Sequence, residues 1–245
     1  MKLNIAKEMG SVRIKIIVPV STDKWNKGIR ELCEEVKNPD TEIDIVNIKK
    51  GPVSIESEYD EALSAPYTIE EAIKAEEEGY QGVIIYCFAN PALFAVREVI
   101  KIPAVGIGEA AHMMGMIVGE RIGIIATIEN AVPRNWRRTK LIGSKNKVMA
   151  IKALNLPVLE YSNKEKTFLR VKEVAQSLIK DFDVDCIILG CGSILGMKEE
   201  IKRSFSIPII IPGEAAVKLV ESMVKMKISH SKKTFQTPPE KEIKK

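Results

Sequence analysis

Cysteine and histidine, the residues that build disulfide frameworks and zinc sites, are scarce in this chain of 245 residues. It has four cysteines, none in a Cys-x-x-Cys pair, and two histidines, His112 and His230. A chain of this length with so few cysteines does not suggest a disulfide framework. Too few ligands remain for a zinc centre. We therefore predict that the protein has no metal site and that its cysteines are single thiols in a reducing compartment.

Long hydrophobic runs are also absent from the sequence. No stretch of about eighteen uncharged apolar residues occurs, which excludes a transmembrane helix. Residues 1–10 are polar and mixed, without the apolar core of a secretory signal peptide. The predicted location is therefore the cytoplasm.

A strong excess of charge of one sign is missing from most of the chain. The 37 basic and 33 acidic residues give a net charge of +4. Residues 225–245 alone hold seven lysines and two glutamates, so the rest of the chain is slightly acidic. We see no basic stripe suited to nucleic acid and expect no nucleic-acid or membrane partner. Residues 229–245 are predicted to form a disordered, lysine-rich tail.

Short apolar runs and amphipathic segments alternate along the chain. This alternation indicates an α/β protein whose parallel sheets are covered by helices. A helix follows the first strand, with apolar positions at Ile29, Leu32, Cys33 and Val36. An irregular loop is expected over 51–66, and loops of that length often serve as functional lids. The predicted strands are 12–20, 43–48, 82–87, 102–107, 121–127, 147–153, 186–190 and 207–211. The other predicted helices are 68–78, one after Pro91, one from Gly108, 133–142, 164–180, 197–203 and 213–226.

An internal repeat decides how eight strands are shared between sheets. Residues 86–111 and 190–216 each contain a cysteine at a strand end, a helix, Ile-Pro, a short strand and Gly-Glu-Ala-Ala. A supersecondary block used twice predicts two pseudo-symmetric lobes, each with a four-stranded parallel sheet, facing each other across a cleft. The expected first lobe is 12–117 plus 212–228, and the second is 118–211.

The repeat places one thiol at the carboxyl end of a strand in each lobe, where open parallel sheets bind ligands. These thiols are Cys87 and Cys191. Each precedes a predicted helix, whose N-terminus would lower the thiol pKa. A thiolate and a thiol on opposite faces of one carbon acid could invert its stereocentre by acid–base catalysis. Cys33 and Cys186 are predicted to be core residues.

Residues near the same strand ends are candidates for binding a substrate. Ser21 and Thr127 end strands and could bind a carboxylate or carbonyl, although N-capping explains them equally well. Asn90 could reach the cleft or could form the turn before Pro91. His112 is interpreted as a helix residue rather than a base. The full set of substrate-binding candidates is Pro19, Ser21, Phe88, Ala89, Asn90, Thr127, Gly192 and Ser193.

Four stretches of the sequence resemble one known family, the hydantoin racemases of the aspartate/glutamate racemase superfamily. The resemblance spans residues 12–226 and implies two pseudo-symmetric lobes, no metal or pyridoxal phosphate, and no other cofactor. It implies that Cys87 and Cys191 are the acid and base, that the substrate is a small 5-substituted hydantoin or related cyclic ureide, and that the protein is a homo-oligomer. The four stretches are GPVSIESEYDEA (51–62), YCFANPALFAVRE (86–98), ENAVPRNWRR (129–138) and LGCGSILGM (189–197).

Two departures from the family pattern leave the substrate open. Where the family usually has Asn-Pro-Asn-Thr, this chain has Val18-Pro19-Val20-Ser21, so two substrate-facing amides are missing. Where the family often has Asp-Pro-Gly, this chain has Asn90-Pro91-Ala92. Neither change affects the thiols.

Two other classes of function remain open at the level of sequence. The same scaffold could support an aspartate or glutamate racemase, or a maleate-type isomerase in which one thiolate adds to carbon. It could also be a small-molecule-binding protein without catalysis. Few charged side chains are expected beside the thiols. This favours a ureide, because the stereocentre of an amino acid is a weaker carbon acid and usually needs more charged groups around the thiols.

Overall fold

A computed structural model describes residues 11–242 of the chain. Within that range the strands form two four-stranded parallel sheets, with orders β2-β1-β3-β4 and β6-β5-β7-β8. The two identical orders confirm the predicted pair of sheets. The strands are β1 Val12–Val18, β2 Thr41–Asn47, β3 Gly82–Ile85, β4 Ala104–Gly106, β5 Ile122–Ala126, β6 Val148–Ala153, β7 Cys186–Leu189 and β8 Ile209–Ile210.

Helices connect successive strands and cover the sheets, as expected for parallel strands joined by crossovers. A short 3₁₀ helix, Val158–Ser162, was not predicted from the sequence. The helices are α1 Asn26–Val36, α2 Glu58–Glu77, α3 Leu93–Val99, α4 Ile107–Val118, α5 Ala131–Ile142, α6 Lys164–Phe182, α7 Lys198–Arg203 and α8 Pro212–Lys225.

The sheets owe their stability to β-branched residues buried on both faces. Strands β3, β5 and β7 are buried at every position, which is the pattern of strands in the middle of parallel sheets. Ile16 of β1 is in register with Ile45 of β2 and Ile84 of β3. This register brings the carboxyl ends of the strands to one edge, so Cys87 and Cys191 follow β3 and β7 at equivalent places.

The helix after the last strand of each sheet packs against the opposite sheet. Gly115 of α4 lies against Ile188 of β7, and a Cβ at Gly115 would be 2.8 Å from its Cδ1 atom. Gly82 of β3 lies against α8, and a Cβ there would be 2.7 Å from Cγ2 of Val220. These two close contacts join the lobes through exchanged helices. Helix α4, predicted within the first lobe, therefore also belongs to the contact between lobes.

The predicted loop over 51–66 is wrong for its second half, because α2 begins at Glu58. The Ser57 hydroxyl accepts a hydrogen bond from the Asp60 backbone N–H at 3.1 Å and caps the helix. Pro66 lies inside α2, where a proline ordinarily interrupts a helix. Burial of Ala72 and Ala75 further along the helix stabilises it despite this defect.

The predicted disordered tail is wrong for residues 229–235, which lie against α3 and β4. His230 Nε2 accepts a hydrogen bond from the Ala104 backbone N–H at 2.8 Å, and burial lowers the pKa of His230 to about 4. Lys232 Nζ donates to the Arg97 carbonyl at 2.8 Å. The Phe235 ring stacks on Phe94. The sequence pattern missed this contact because the segment is rich in lysine and has no apolar period. Residues 243–245 of the predicted tail lie outside the described range.

Within residues 11–242, no helix combines the length and the apolar character needed to cross a membrane.

Candidate active site

Cys87 and Cys191 line one cavity at the junction of the two sheets. Cys87 lies two residues beyond the end of β3, and Cys191 lies two residues beyond the end of β7. The cavity volume is about 70 Å³. Six of the predicted substrate-binding residues also line it: Pro19, Phe88, Ala89, Thr127, Gly192 and Ser193.

Ser21, another of the predicted binding residues, is placed outside the cavity lining. Its hydroxyl donates to the Gly51 carbonyl at 2.8 Å, and its backbone N–H donates to the Pro52 carbonyl at 2.9 Å. Ser21 therefore anchors the segment that leads to α2.

Asn90 also lies outside this cavity, because its side chain is used to cap α4. Asn90 Oδ1 accepts hydrogen bonds from the backbone N–H groups of Gly108 at 2.9 Å and Glu109 at 3.4 Å. A Cβ at Gly108 would be 2.0 Å from the Phe88 carbonyl oxygen, so the loop that follows Cys87 sits directly on the α4 N-terminus. The role of Asn90 is to position this loop, not to line the cavity.

The expectation that helix N-termini lower the thiol pKa is wrong. Helices α3 and α7 begin only at Leu93 and Lys198, beyond the loops that carry the thiols. Burial raises the pKa of Cys87 to about 12 and that of Cys191 to about 11, while hydrogen bonds from Ala89 and Ser193 oppose the shift. The Ser193 backbone N–H lies 3.4 Å from Cys191 Sγ. Both thiols are therefore protonated near neutral pH in the ligand-free site.

Charged side chains beside the thiols are more numerous than the sequence suggested. Arg134 and Arg138 of α5 line the cavity together with the neutral Asn135, and all three lie on one face of that helix. All three belong to the ENAVPRNWRR stretch, whose helical spacing could have revealed this shared face. They are not neighbours of the cysteines along the chain, because α5 lies more than 40 residues from either one.

The two arginines are held by the first lobe. Arg134 Nη1 donates to Glu61 Oε1 at 2.9 Å, and its Nη2 donates to the Glu56 carbonyl at 2.7 Å. Arg138 also pairs with Glu61, and its Nε donates to the Ala89 carbonyl at 3.2 Å. These contacts occupy donors that could otherwise bind a substrate carboxylate.

The segment between Gly51 and α2 covers the cavity and reaches the second lobe. Ser54 and Ile55 contribute to the cavity lining. The Glu56 carboxylate accepts a hydrogen bond from the Val158 backbone N–H at 2.9 Å. This segment therefore contacts both lobes at the mouth of the site.

The remaining cysteines and His112 lie in the packed interior. Cys33 and Cys186 are buried, and burial raises the pKa of each to about 12. His112 Nδ1 shares a hydrogen bond of 2.9 Å with the Ser144 hydroxyl, and burial lowers the pKa of His112 to about 4. Among residues 11–242, no group of three or more His, Cys, Asp or Glu side chains could hold a metal ion.

The fold and the site define a two-lobed parallel α/β protein with one thiol from each lobe on a shared cavity. The family described as Asp/Glu/Hydantoin racemase matches residues 14–220. The chain therefore belongs to this family, as its sequence motifs predicted, and its relatives indicate a racemase, a kind of isomerase.

Individual relatives match over nearly the whole chain. The hydantoin racemase of Paenarthrobacter aurescens is 30% identical over 234 residues, which cover 94% of this chain and 99% of the relative. The structure of allantoin racemase from Klebsiella pneumoniae has a TM-score of 0.90 and 30% identity, covering 96% of this chain and 97% of that one. That of allantoin racemase from Pseudomonas fluorescens also has a TM-score of 0.90, with 26% identity and coverage of 95% and 100%.

Proposed function

We propose that this protein racemises a 5-substituted hydantoin or a related cyclic ureide by proton transfer between Cys87 and Cys191. The observation that carries the proposal is the placement of one thiol from each lobe on a single cavity. The hydantoin and allantoin racemases similar to this chain support the choice of substrate. Allantoin is itself a hydantoin ring with a ureido group at its stereocentre.

In the proposed reaction, the thiolate of one cysteine removes the proton at the ring stereocentre and becomes a thiol. The electron pair is delocalised into the adjacent carbonyl as an enolate. The thiol of the other cysteine then donates its proton to the opposite face and becomes a thiolate. The product has the inverted configuration, the two cysteines have exchanged protonation states, and no cofactor takes part.

The raised thiol pKa values make each thiolate a stronger base but a rarer species at neutral pH. General acid–base catalysis is most efficient when the pKa of the catalytic group lies near the operating pH, so stabilisation of the thiolate matters. The N–H groups of Ala89 and Ser193 stabilise the negative charge at each sulfur. The backbone thus compensates part of the free energy needed to ionise each thiol.

The arginines beside the cavity favour a neutral ring over an amino acid. Donors of Arg134 and Arg138 are engaged by Glu61 and by backbone carbonyls. Because Glu61 offsets their positive charge, the site offers less to an α-carboxylate. A cyclic ureide has no free carboxylate at its stereocentre and needs none of these donors.

The proposal is tested by the variants Cys87→Ser and Cys191→Ser. Loss of optical rotation is followed from each enantiomer of several hydantoins and allantoin, in ²H₂O, with mass spectrometry of the product. We expect each variant to lose at least about 1,000-fold in turnover, the scale of general acid–base catalysis. Cys33→Ala serves as the control, since Cys33 is buried away from the cavity.

Full activity of both serine variants in both directions would refute the two-base mechanism. Racemisation of aspartate or glutamate in place of hydantoins would refute the substrate assignment. A covalent adduct on one cysteine, formed with an unsaturated diacid, would instead indicate an isomerase that uses a nucleophilic thiolate. The cytoplasmic location, the homo-oligomer and the lobe boundaries given above stay predictions.

A further inference from the structure

Asn135 is a buried polar residue of the cavity that the mechanism above does not use. It belongs to α5, it is 3% exposed, and it lines the cavity that contains the two thiols. Its Oδ1 atom has no hydrogen-bond partner among residues 11–242. A buried amide oxygen is ordinarily hydrogen-bonded, so an orphaned one at a binding cavity requires a partner from outside the protein.

The neighbours of Asn135 on α5 leave its amide for a ligand. Arg134 and Arg138 donate to Glu61 and to the carbonyls of Glu56 and Ala89. These bonds also fix the helix on both sides of Asn135. The amide is therefore presented by a rigid element, which is the arrangement that selective recognition requires.

We infer that Asn135 determines specificity by pairing its side-chain amide with a lactam edge of the substrate. A primary amide offers one acceptor and one donor side by side, and a cyclic ureide offers an N–H beside a C=O in the matching cis arrangement. Two parallel hydrogen bonds then form, as in other bidentate amide contacts. An open-chain amino acid has no such edge. This inference rests on the proposed function, because it identifies the group on the substrate that the site recognises.

The inference is tested with Asn135→Leu, which keeps the approximate volume and removes both polar atoms. A 5-substituted hydantoin is compared with its 1-methyl and 3-methyl forms, measuring kcat and KM for each. We expect wild-type protein to lose about 100-fold in kcat/KM for one of the two methylated rings. In Asn135→Leu, kcat/KM for the unmodified ring should fall about 100-fold. The variant should then have similar kcat/KM values for that ring and for its methylated form.

The stability of the variant shows whether Asn135 recognises the substrate or supports the fold. Because Asn135 Oδ1 has no partner among the described residues, Asn135→Leu should keep or raise the thermal midpoint of the ligand-free protein. Asn130→Ala is the matched control, since Asn130 is an exposed residue just before α5 whose side chain makes no capping bond. This control should change neither kcat/KM nor stability.

Binding of the three rings, measured by calorimetry, distinguishes failure of this inference from failure of the proposed function. Equal discrimination by wild-type protein and Asn135→Leu overturns the role of Asn135 and leaves the racemase proposal standing. Binding with the expected discrimination but without turnover supports Asn135 and overturns the racemase proposal. No binding and no turnover of any of the rings by wild-type protein overturns both.

Discussion

The thiols of Cys87 and Cys191 differ from free thiols because of their burial. Burial raises the pKa of each, to about 12 and about 11, whereas a free cysteine has a pKa of about 8.5. The thiolate fraction therefore increases about tenfold for each pH unit through the neutral and mildly alkaline range, without reaching a plateau. A free thiol is already mostly ionised above about pH 9.

This difference gives a pH prediction at the residue scale. The iodoacetamide labelling rates of Cys87 and Cys191 in ligand-free protein should rise about tenfold per pH unit between pH 7 and pH 10. A cysteine peptide, the control, should level off near pH 9. Site-resolved mass spectrometry measures both rates. A plateau near pH 8 for either protein thiol would contradict the effect of burial.

Slow labelling at neutral pH is thus expected even of an active enzyme. Slow labelling therefore does not distinguish a racemase from a small-molecule-binding protein. Rapid labelling of an activated thiolate would have made that distinction. Turnover in the serine variants makes this distinction, because it requires the thiols to transfer protons rather than only to line a cavity.

At the scale of elements, both lobes repeat an ion pair formed by the glutamate of the repeated Gly-Glu-Ala-Ala. Arg97 of α3 pairs with Glu109 in the first turn of α4, and Lys202 of α7 pairs with Glu214 in the first turn of α8. Each pair is separated by 12 residues. In each lobe the pair joins the helix that follows a thiol loop to the helix that crosses to the other lobe.

The two pairs differ in burial and in their partners. The side chains of Arg97 and Glu109 are 7% and 14% exposed, and Arg97 also donates to the Ala104 carbonyl at 3.0 Å. The Lys202 side chain is 33% exposed, and Glu214 keeps a second partner in Lys198 at 2.7 Å. Removing the basic partner leaves Glu109, but not Glu214, without its charge partner.

We expect Arg97→Gln to lower the free energy of unfolding by about 3 kcal/mol, because it leaves the partly buried carboxylate of Glu109 unpaired. Lys202→Gln, at the equivalent place of the repeat, should lower it by about 1 kcal/mol or less. Urea unfolding at pH 7 measures both values. Equal losses would show that the buried pair does not stabilise its lobe more than the exposed one.

At the scale of the whole molecule, Glu61 joins the two lobes over the cavity. It lies in α2 and accepts hydrogen bonds from Arg134 and Arg138 of α5. Its side chain is 15% exposed. An exposed pair, Glu58 with Arg137, also bridges α2 and α5, with both side chains 60% exposed.

The two lobes should separate more readily in Glu61→Gln than in Glu58→Gln. Glu61→Gln removes the charge that the buried Arg134 and the partly buried Arg138 share, so we expect a loss of about 3 kcal/mol in unfolding free energy and faster labelling of both cavity thiols. Glu58→Gln should change stability by less than about 1 kcal/mol and leave labelling unchanged. Thermal unfolding and labelling at pH 8 test this. Identical behaviour of the two variants would rule out a special role for Glu61.

The sequence by itself determined the class of fold and the pair of thiols. Buried β-branched runs separated by amphipathic segments lead to parallel sheets, and the repeat around Cys87 and Cys191 requires equivalent positions in two lobes. These properties depend on local pattern and on symmetry, both of which are visible along one chain.

Only the tertiary structure decided what surrounds the thiols. The pKa of Cys87 and of Cys191 depends on burial, and Asn135 enters the site from a helix more than 40 residues from either cysteine. Ser21 and Asn90 are close in sequence to residues that line the cavity, but their side chains are hydrogen-bonded to backbone groups elsewhere. Solvation and long-range contacts arise only when the lobes meet, because each requires atoms that are distant along the chain.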